Sequence, residues 1–123
     1  MFRTFLKTKL HRATITAADP DYEGSISLDR DLCRAAGLLE FEQVDVLDIN
    51  NGARFTTYVI YGDAGQVQVN GAAARLVRPG DLVIVIAYCR LAVEEVPKHV
   101  ARVVLMSPGN VIASVEDKLL SAP

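Results

Sequence analysis

The chain has 123 residues, half of them apolar and 23% charged, a composition that predicts one globular domain with a core of its own. Thirteen basic and fifteen acidic residues leave a net charge of −2 and a pI near 5.6, which argues against a dedicated nucleic-acid binder. The longest apolar run, Leu82 to Cys89, is far too short to cross a membrane as a helix. Met1-Phe2-Arg3 leads into no apolar signal region, and Cys33 and Cys89 have neither disulfide nor metal-ligand spacing. The expectation is a cytoplasmic protein with packed, reduced cysteines and no metal.

Basic residues gather at the start. Arg3, Lys7, Lys9 and Arg12 stand in the first twelve positions without an acid, so the other 111 residues carry a net −6. Alternation over Phe5 to Thr16 predicts a strand with Lys7, Lys9 and His11 on one face. Lys9 and His11 would then lie about 6–7 Å apart, as one edge of an anion site or as a solvated strand face. Asp19-Pro20-Asp21 closes this strand, and Tyr22 to Leu28 reads as a second extended segment. Asp29 is placed to N-cap a helix over Arg30 to Ala36, which Gly37 ends. Gln43 to Ile49 alternates as a strand, Asn50-Asn51-Gly52 signals a tight turn, and Arg54 to Tyr61 is the partner strand. Gly62-Asp63-Ala64-Gly65 turns the chain into Gln66 to Val69, and a helical turn starts in Asn70-Gly71-Ala72-Ala73-Ala74. Pro79-Gly80-Asp81 precedes Leu82 to Cys89, the most buried-looking strand in the sequence. Lys98 to Met106 is a further strand, Ser107-Pro108-Gly109-Asn110 a turn, and Val111 to Val115 the last strand.

Three segments can carry chemistry. In Tyr22-Glu23-Gly24-Ser25, a serine hydroxyl can attack the carbonyl of the residue before it, if the backbone is held in position. Glycine before the serine removes the side chain nearest that attack. The resulting ester can eliminate to dehydroalanine, which hydrolyses to a pyruvoyl group and ammonia. The bland alternative is a kinked strand with a surface serine. In Arg54-Phe55-Thr56-Thr57-Tyr58, alternation puts Arg54, Thr56 and Tyr58 on one face and Thr57 on the other. A guanidinium and a phenol there could grip a carboxylate and donate a proton, or be a solvated arginine and a packing tyrosine. Asn70-Gly71-Ala72-Ala73-Ala74 reads either as a backbone-lined pocket wall or as a site of tight packing. No phosphate loop, dinucleotide fingerprint or metal-ligand spacing of His11 and His99 competes with these.

In order along the chain, Lys9-Leu10-His11-Arg12, Tyr22-Glu23-Gly24-Ser25, Asn51 through Tyr58 and Val69 through Ala74 resemble the bacterial pyruvoyl-dependent aspartate 1-decarboxylase family. The resemblance runs from Arg3 to about Glu95; it departs at Ala53, at Tyr61 and over the final residues. It implies a mainly β fold, a six-stranded double-psi β-barrel with short helices, assembled as a homotetramer with sites between neighbouring subunits. It further implies self-cleavage between Gly24 and Ser25 into chains 1–24 and 25–123, with Ser25 becoming the covalent pyruvoyl group that forms a Schiff base with L-aspartate. Tyr58 then matches the proton donor, and Thr57, Gly71, Ala72 and Ala73 match substrate-contacting positions. Arg54 and Lys9 match the positive contacts to the dicarboxylate, with His11, Tyr22 and Asn70 close by. The product would be β-alanine for pantothenate synthesis. A maturation protein would be a further partner; nucleic acid and membrane would not. Pyridoxal phosphate, the other common electron sink for such chemistry, binds folds several times larger than this chain. The rival reading is a small β-barrel DNA-binding regulator whose basic arm is residues 1–12.

Overall fold

Alternation organises the first strand, β1 (Phe2–Thr14), but two irregularities break it. In the computed structural model, which describes residues 1–123, the pairing of β1 with β7 (Leu82–Ala92) shifts register between Leu6 and Thr8 and again between His11 and Ala13. At the second shift Arg12 takes φ 71°, the left-handed conformation that a bulge can require. Lys7, the residue skipped at the first, is drawn aside to pair with Glu42. Lys7 therefore does not continue a row with Lys9 and His11.

The remaining elements are β2 (Ala17–Asp19), β3 (Ser25–Asp29), α1 (Arg30–Ala36), β4 (Gln43–Asp48), β5 (Arg54–Gly62), β6 (Val67–Asn70), β8 (Val100–Ser107) and β9 (Val111–Leu119). Short 3-10 helices cover Gly71–Leu76 and Val96–Lys98. The helix is capped as its sequence predicts: the Asp29 side chain accepts from the Asp31 N–H, and Gly37 is left-handed at φ 74°. Several boundaries differ from expectation, and β1 itself spans Phe2–Thr14 where Phe5 to Thr16 was expected. Tyr22 to Gly24 stay outside the sheet, because the Tyr22 N–H turns back to the Asp19 carbonyl. The strand expected from Lys98 starts at Val100, since Pro97 sits in the preceding 3-10 turn. β7 continues to Ala92 against Phe2, and β9 continues to Leu119 against Val100.

The protein is mainly β. Hydrogen bonds link nine strands, where the resemblance implied a six-stranded barrel, in the order β2-β6-β3-β5-β4-β7-β1-β8-β9. The three-residue β2 and the hairpin strand β9 are the two ends of that order. Most pairs are antiparallel, but β1–β8, β3–β5 and β2–β6 are parallel. The core is the inward face of these strands: Leu10, Ile26, Leu28, Val44, Val46, Val59, Val67, Val69, Val83 and Val85 are all essentially inaccessible. The run Leu82–Cys89 is therefore not buried on both faces; Val83, Val85 and Ala87 point in, while Ile84 and Ile86 are half-buried on the other side. Both cysteines are free, and burial pushes the Cys33 thiol up to about 11, as suits a packed hydrophobe. No helix is long and apolar enough to cross a membrane, and no group of three or more His, Cys, Asp and Glu side chains is placed to hold a metal ion.

Two turns dock on each other. Asp48 Oδ1 accepts from the N–H groups of Asn50 and Asn51, and Asn50 Oδ1 accepts from the Leu82 N–H beyond the Gly80-Asp81 turn. Asp48 Oδ2 is buried with no donor to meet it. Burial first, then the neighbouring Asp81 carboxylate, raise the Asp48 carboxyl above the usual range, against the pull of the Asn50 and Asn51 amides. A carboxyl raised on folding favours the fold when protonated, and that contribution is lost as pH rises through the folded value. Asp48→Asn keeps the acceptor and supplies a donor toward Asp81. Its melting temperature should exceed the parent's by about 2–5 °C at pH 7.5, with the gap closing toward pH 4. A gap that is absent, or equal at both pH values, would show that the pair does not carry the uncompensated charge.

Candidate active site

Ser25 opens β3 and is buried. Its hydroxyl donates to the Glu23 carbonyl at 3.0 Å and accepts from Asn70 Nδ2 at 3.0 Å. The same Asn70 nitrogen donates to Ser27 Oγ at 3.1 Å. Antiparallel pairing of β3 with β6 sets Ser25 opposite Asn70, so the first and third chemical segments of the sequence meet backbone to backbone. Gly71 completes the contact. Its φ is +79°, and a Cβ there would lie 2.6 Å from Gly24 Cα and 2.8 Å from Gly24 N. Only glycine lets the wall close on Gly24 this tightly. Gly24 itself has open space where a Cβ would be, and its φ is not positive. Packing therefore does not demand glycine at 24.

The charged candidates form a second group, on the outer face of four adjacent strands. Register places Arg54 opposite Leu47, Leu47 opposite Ile84, and Ile84 opposite His11. The next row runs Thr56, Asp45, Ile86, Lys9. Tyr58 lies one row further along β5, opposite Gln43. Cross-strand partners share a face, so Arg54, Tyr58, Lys9 and His11 look out from one surface. Neighbouring strands are about 4.8 Å apart, so Arg54 and His11, three strands apart, are separated by about 14 Å. Between them lie the half-buried Leu47, Ile84 and Ile86. The His11 Nδ1 is buried without a partner, and burial, then Lys9 and Arg12, hold this imidazole below its usual range. The surface presents Arg54, Lys9 and His11 around an apolar floor that also carries the Asp45 carboxylate, which accepts from Thr56 Oγ1 at 2.7 Å.

Tyr58 is the member of this group nearest to Ser25. β3 runs parallel to β5 from the pair Ile26–Val59, and Ser25 and Tyr58 each stand one position earlier. The Tyr58 ring packs 6.4 Å from that of Phe41, and both line an open cleft of about 570 Å³ with Gln43, Thr56 and Thr57. Thr57 is half-buried on the core side of β5, opposite Val44. Ala72 is exposed and Ala73 half-buried in the 3-10 helix after Gly71. Tyr22 is exposed, and its carbonyl would lie 3.3 Å from a Cβ on Gly71. Lys9 and His11 sit on β1, four places from β3 along the sheet, and make no hydrogen bond to the Ser25 group. Sequence reading missed Ser27 and Gln68, whose side chains flank Asn70; polar residues at alternate positions, 66, 68 and 70, were the available signal.

The profile of the aspartate decarboxylase family matches residues 1–113. The chain is 59% identical to an aspartate 1-decarboxylase of Caulobacter vibrioides over 114 residues, covering 91% of this chain and 97% of that protein. Aspartate 1-decarboxylases of Phenylobacterium zucineum, at 57% over the same shares, and of Caldicellulosiruptor bescii, at 50% over 96% of this chain and 94% of that protein, are similar along almost their whole length.

Proposed function

Because this chain belongs to the aspartate decarboxylase family, we propose that it cleaves itself at Gly24-Ser25 and then decarboxylates L-aspartate to β-alanine and CO2. The observation that carries the reading is the buried Ser25 hydroxyl, held between Asn70 and Glu23 beside a Gly24 pressed against Gly71. In the cleavage, Ser25 Oγ bonds to the Gly24 carbonyl carbon as the bond from that carbon to the Ser25 nitrogen breaks. The hydroxyl proton ends on the freed amine. Loss of the Ser25 Cα proton then expels the Gly24 carboxylate, and one water replaces the nitrogen, released as ammonia. No oxidant is needed, and position 25 is left as a pyruvoyl group.

That group would supply an electrophilic carbonyl which, joined to the substrate amine as a Schiff base, accepts the electron pair left when CO2 departs. The pocket suits it. Position 25 is buried and its oxygen faces an amide donor. Arg54 and Lys9 bind the two carboxylates of aspartate, Tyr58 Oη delivers a proton to the substrate Cα, and Thr57 with Gly71, Ala72 and Ala73 shapes the remaining wall. His11 and Tyr22 border the site.

Separation of the charged surface from Ser25 within one chain supports a site completed between subunits of a homotetramer. Exposed apolar side chains such as Leu39, Phe41 and Val93 support burial between copies. The parallel β1–β8 and β3–β5 pairs within a mainly antiparallel order support the double-psi barrel. The setting is cytoplasmic, in pantothenate biosynthesis. Intact mass of purified protein tests the reading: chains of 24 and 99 residues are expected from the 123, the longer lacking a free amine. Full decarboxylase activity in an uncut chain would sink it.

A further inference from the structure

Three carboxamides stand at alternate positions entering and along β6: Gln66, Gln68 and Asn70. Alternate residues of a strand share a face, and here they hydrogen bond in series. The Asp63 backbone N–H donates to Gln66 Oε1 at 2.8 Å. Gln66 Nε2 donates to Gln68 Oε1 at 3.2 Å, and Gln68 Nε2 donates to Asn70 Oδ1 at 2.8 Å. The series ends on Ser25 and Ser27, which take the two hydrogens of Asn70 Nδ2.

The direction of this series is not arbitrary. A carboxamide offers oxygen on one side and NH2 on the other, and can be turned over at little cost when its partners allow it. A backbone N–H can only donate. Asp63 therefore fixes which end of Gln66 faces it, Gln66 fixes Gln68, and Gln68 fixes Asn70. The outcome is that Ser25 Oγ meets a donor. An N–H on that oxygen stabilises it as its proton departs, whereas a carbonyl there would oppose the developing charge.

We propose that Gln68 is a positioning residue for self-cleavage: by donating to Asn70 Oδ1 it keeps the Asn70 NH2 on the attacking oxygen of Ser25. The inference rests on the cleavage proposed above and adds a determinant of its rate. The Gln68 side chain makes no hydrogen bond to Gly24 or Ser25, and acts only through Asn70.

The test is the rate at which freshly made full-length protein is cut, followed by intact mass, with Gln68→Glu and Gln68→Met beside the parent. An ionised carboxylate at position 68 can only accept, so Asn70 turns its NH2 toward it and its carbonyl toward Ser25. Cleavage of Q68E should then be slower than the parent's by about 10-fold or more at pH 7.5, short of the 10²–10³ for a donor removed outright. Once protonated, the introduced carboxyl regains a donor. The ratio of Q68E to parent rates should therefore recover as pH falls to about 4–5, within one preparation. Q68M, apolar and of similar length, should be slow at every pH while melting like the parent. Slowing of Q68E that acid does not relieve would overturn the proposal, because it would reflect damaged packing. Parental rates in both variants would overturn it as well, while leaving the cleavage reading intact. A parent that stays at 123 residues would bring down both.

Discussion

Ser25→Ala is expected to remain one uncut chain and to release no CO2 from aspartate. Alanine has no oxygen to attack the Gly24 carbonyl, so neither the ester nor the carbonyl at position 25 can form. Without that carbonyl, the electron pair left by decarboxylation has nowhere to go, and no side chain near Gly71 can replace it. The fold should survive. The lost hydroxyl leaves one Asn70 N–H without its acceptor, at a cost of about 1–3 kcal/mol, but Ser27 still takes the other hydrogen and β3 keeps its ladder to β6. Intact mass, a CO2-release assay and a thermal melt together check this. Measurable decarboxylation by a well-folded Ser25→Ala chain would remove Ser25 from the chemistry altogether.

Tyr58→Phe should separate cutting from turnover. In the folded chain the Tyr58 hydroxyl makes no hydrogen bond, and its ring rests against Phe41 at the rim of the open cleft. Phenylalanine keeps the ring and removes only the donor. Folding and cleavage should be as in the parent, because the groups holding Ser25 are Asn70 and the Glu23 carbonyl. Turnover should fall by about 10²–10⁴-fold, the range for loss of a general acid. The mature variant should also lose activity faster during turnover, since an electron pair not protonated at the substrate Cα can be protonated on the protein side instead. Formation of β-alanine within a factor of two of the parent's rate, with no faster inactivation, would make Tyr58 a packing residue.

What could be read before folding was local. Asp29 and Gly37 bracket α1 because a cap needs only its own neighbours, and Asn50-Asn51-Gly52 turns because Gly52 takes φ 76°. The chemical segments were visible for the same reason, each being a short run with its own logic. Features that depend on a distant partner were not. The break in the Lys7, Lys9, His11 row arises where β1 must match β7. The half-buried outer side of Ile84 and Ile86 depends on which strands flank β7. Asn110 looked like one residue of a turn, yet it is buried with φ 57° and bonds both the N–H and carbonyl of Thr14 and the carbonyl of Gly65. Its pairing across nearly the whole chain has no signature in adjacent residues. The carboxamide series is intermediate: its alternation was on view, but its target at Ser25 needed the β3–β6 register.

The place of β1 has a consequence for reversibility. All thirteen residues of β1 precede the Gly24-Ser25 bond, and the strand lies between β7 and β8, inside the sheet and not at its edge. Leu10 and Ala13 from it are wholly buried. Once the bond is cut, the 24-residue piece is retained as an inner strand without a covalent tether. Unfolding would then yield two molecules from each chain, and restoring β1 to the sheet becomes a second-order encounter that weakens on dilution, whereas an uncut precursor folds its own β1 into the sheet without meeting a second molecule. In the proposed chemistry the Gly24-Ser25 amide cannot be remade, because its nitrogen leaves as ammonia. The proposed cleavage would thus make recovery of the fold depend on concentration at its first step.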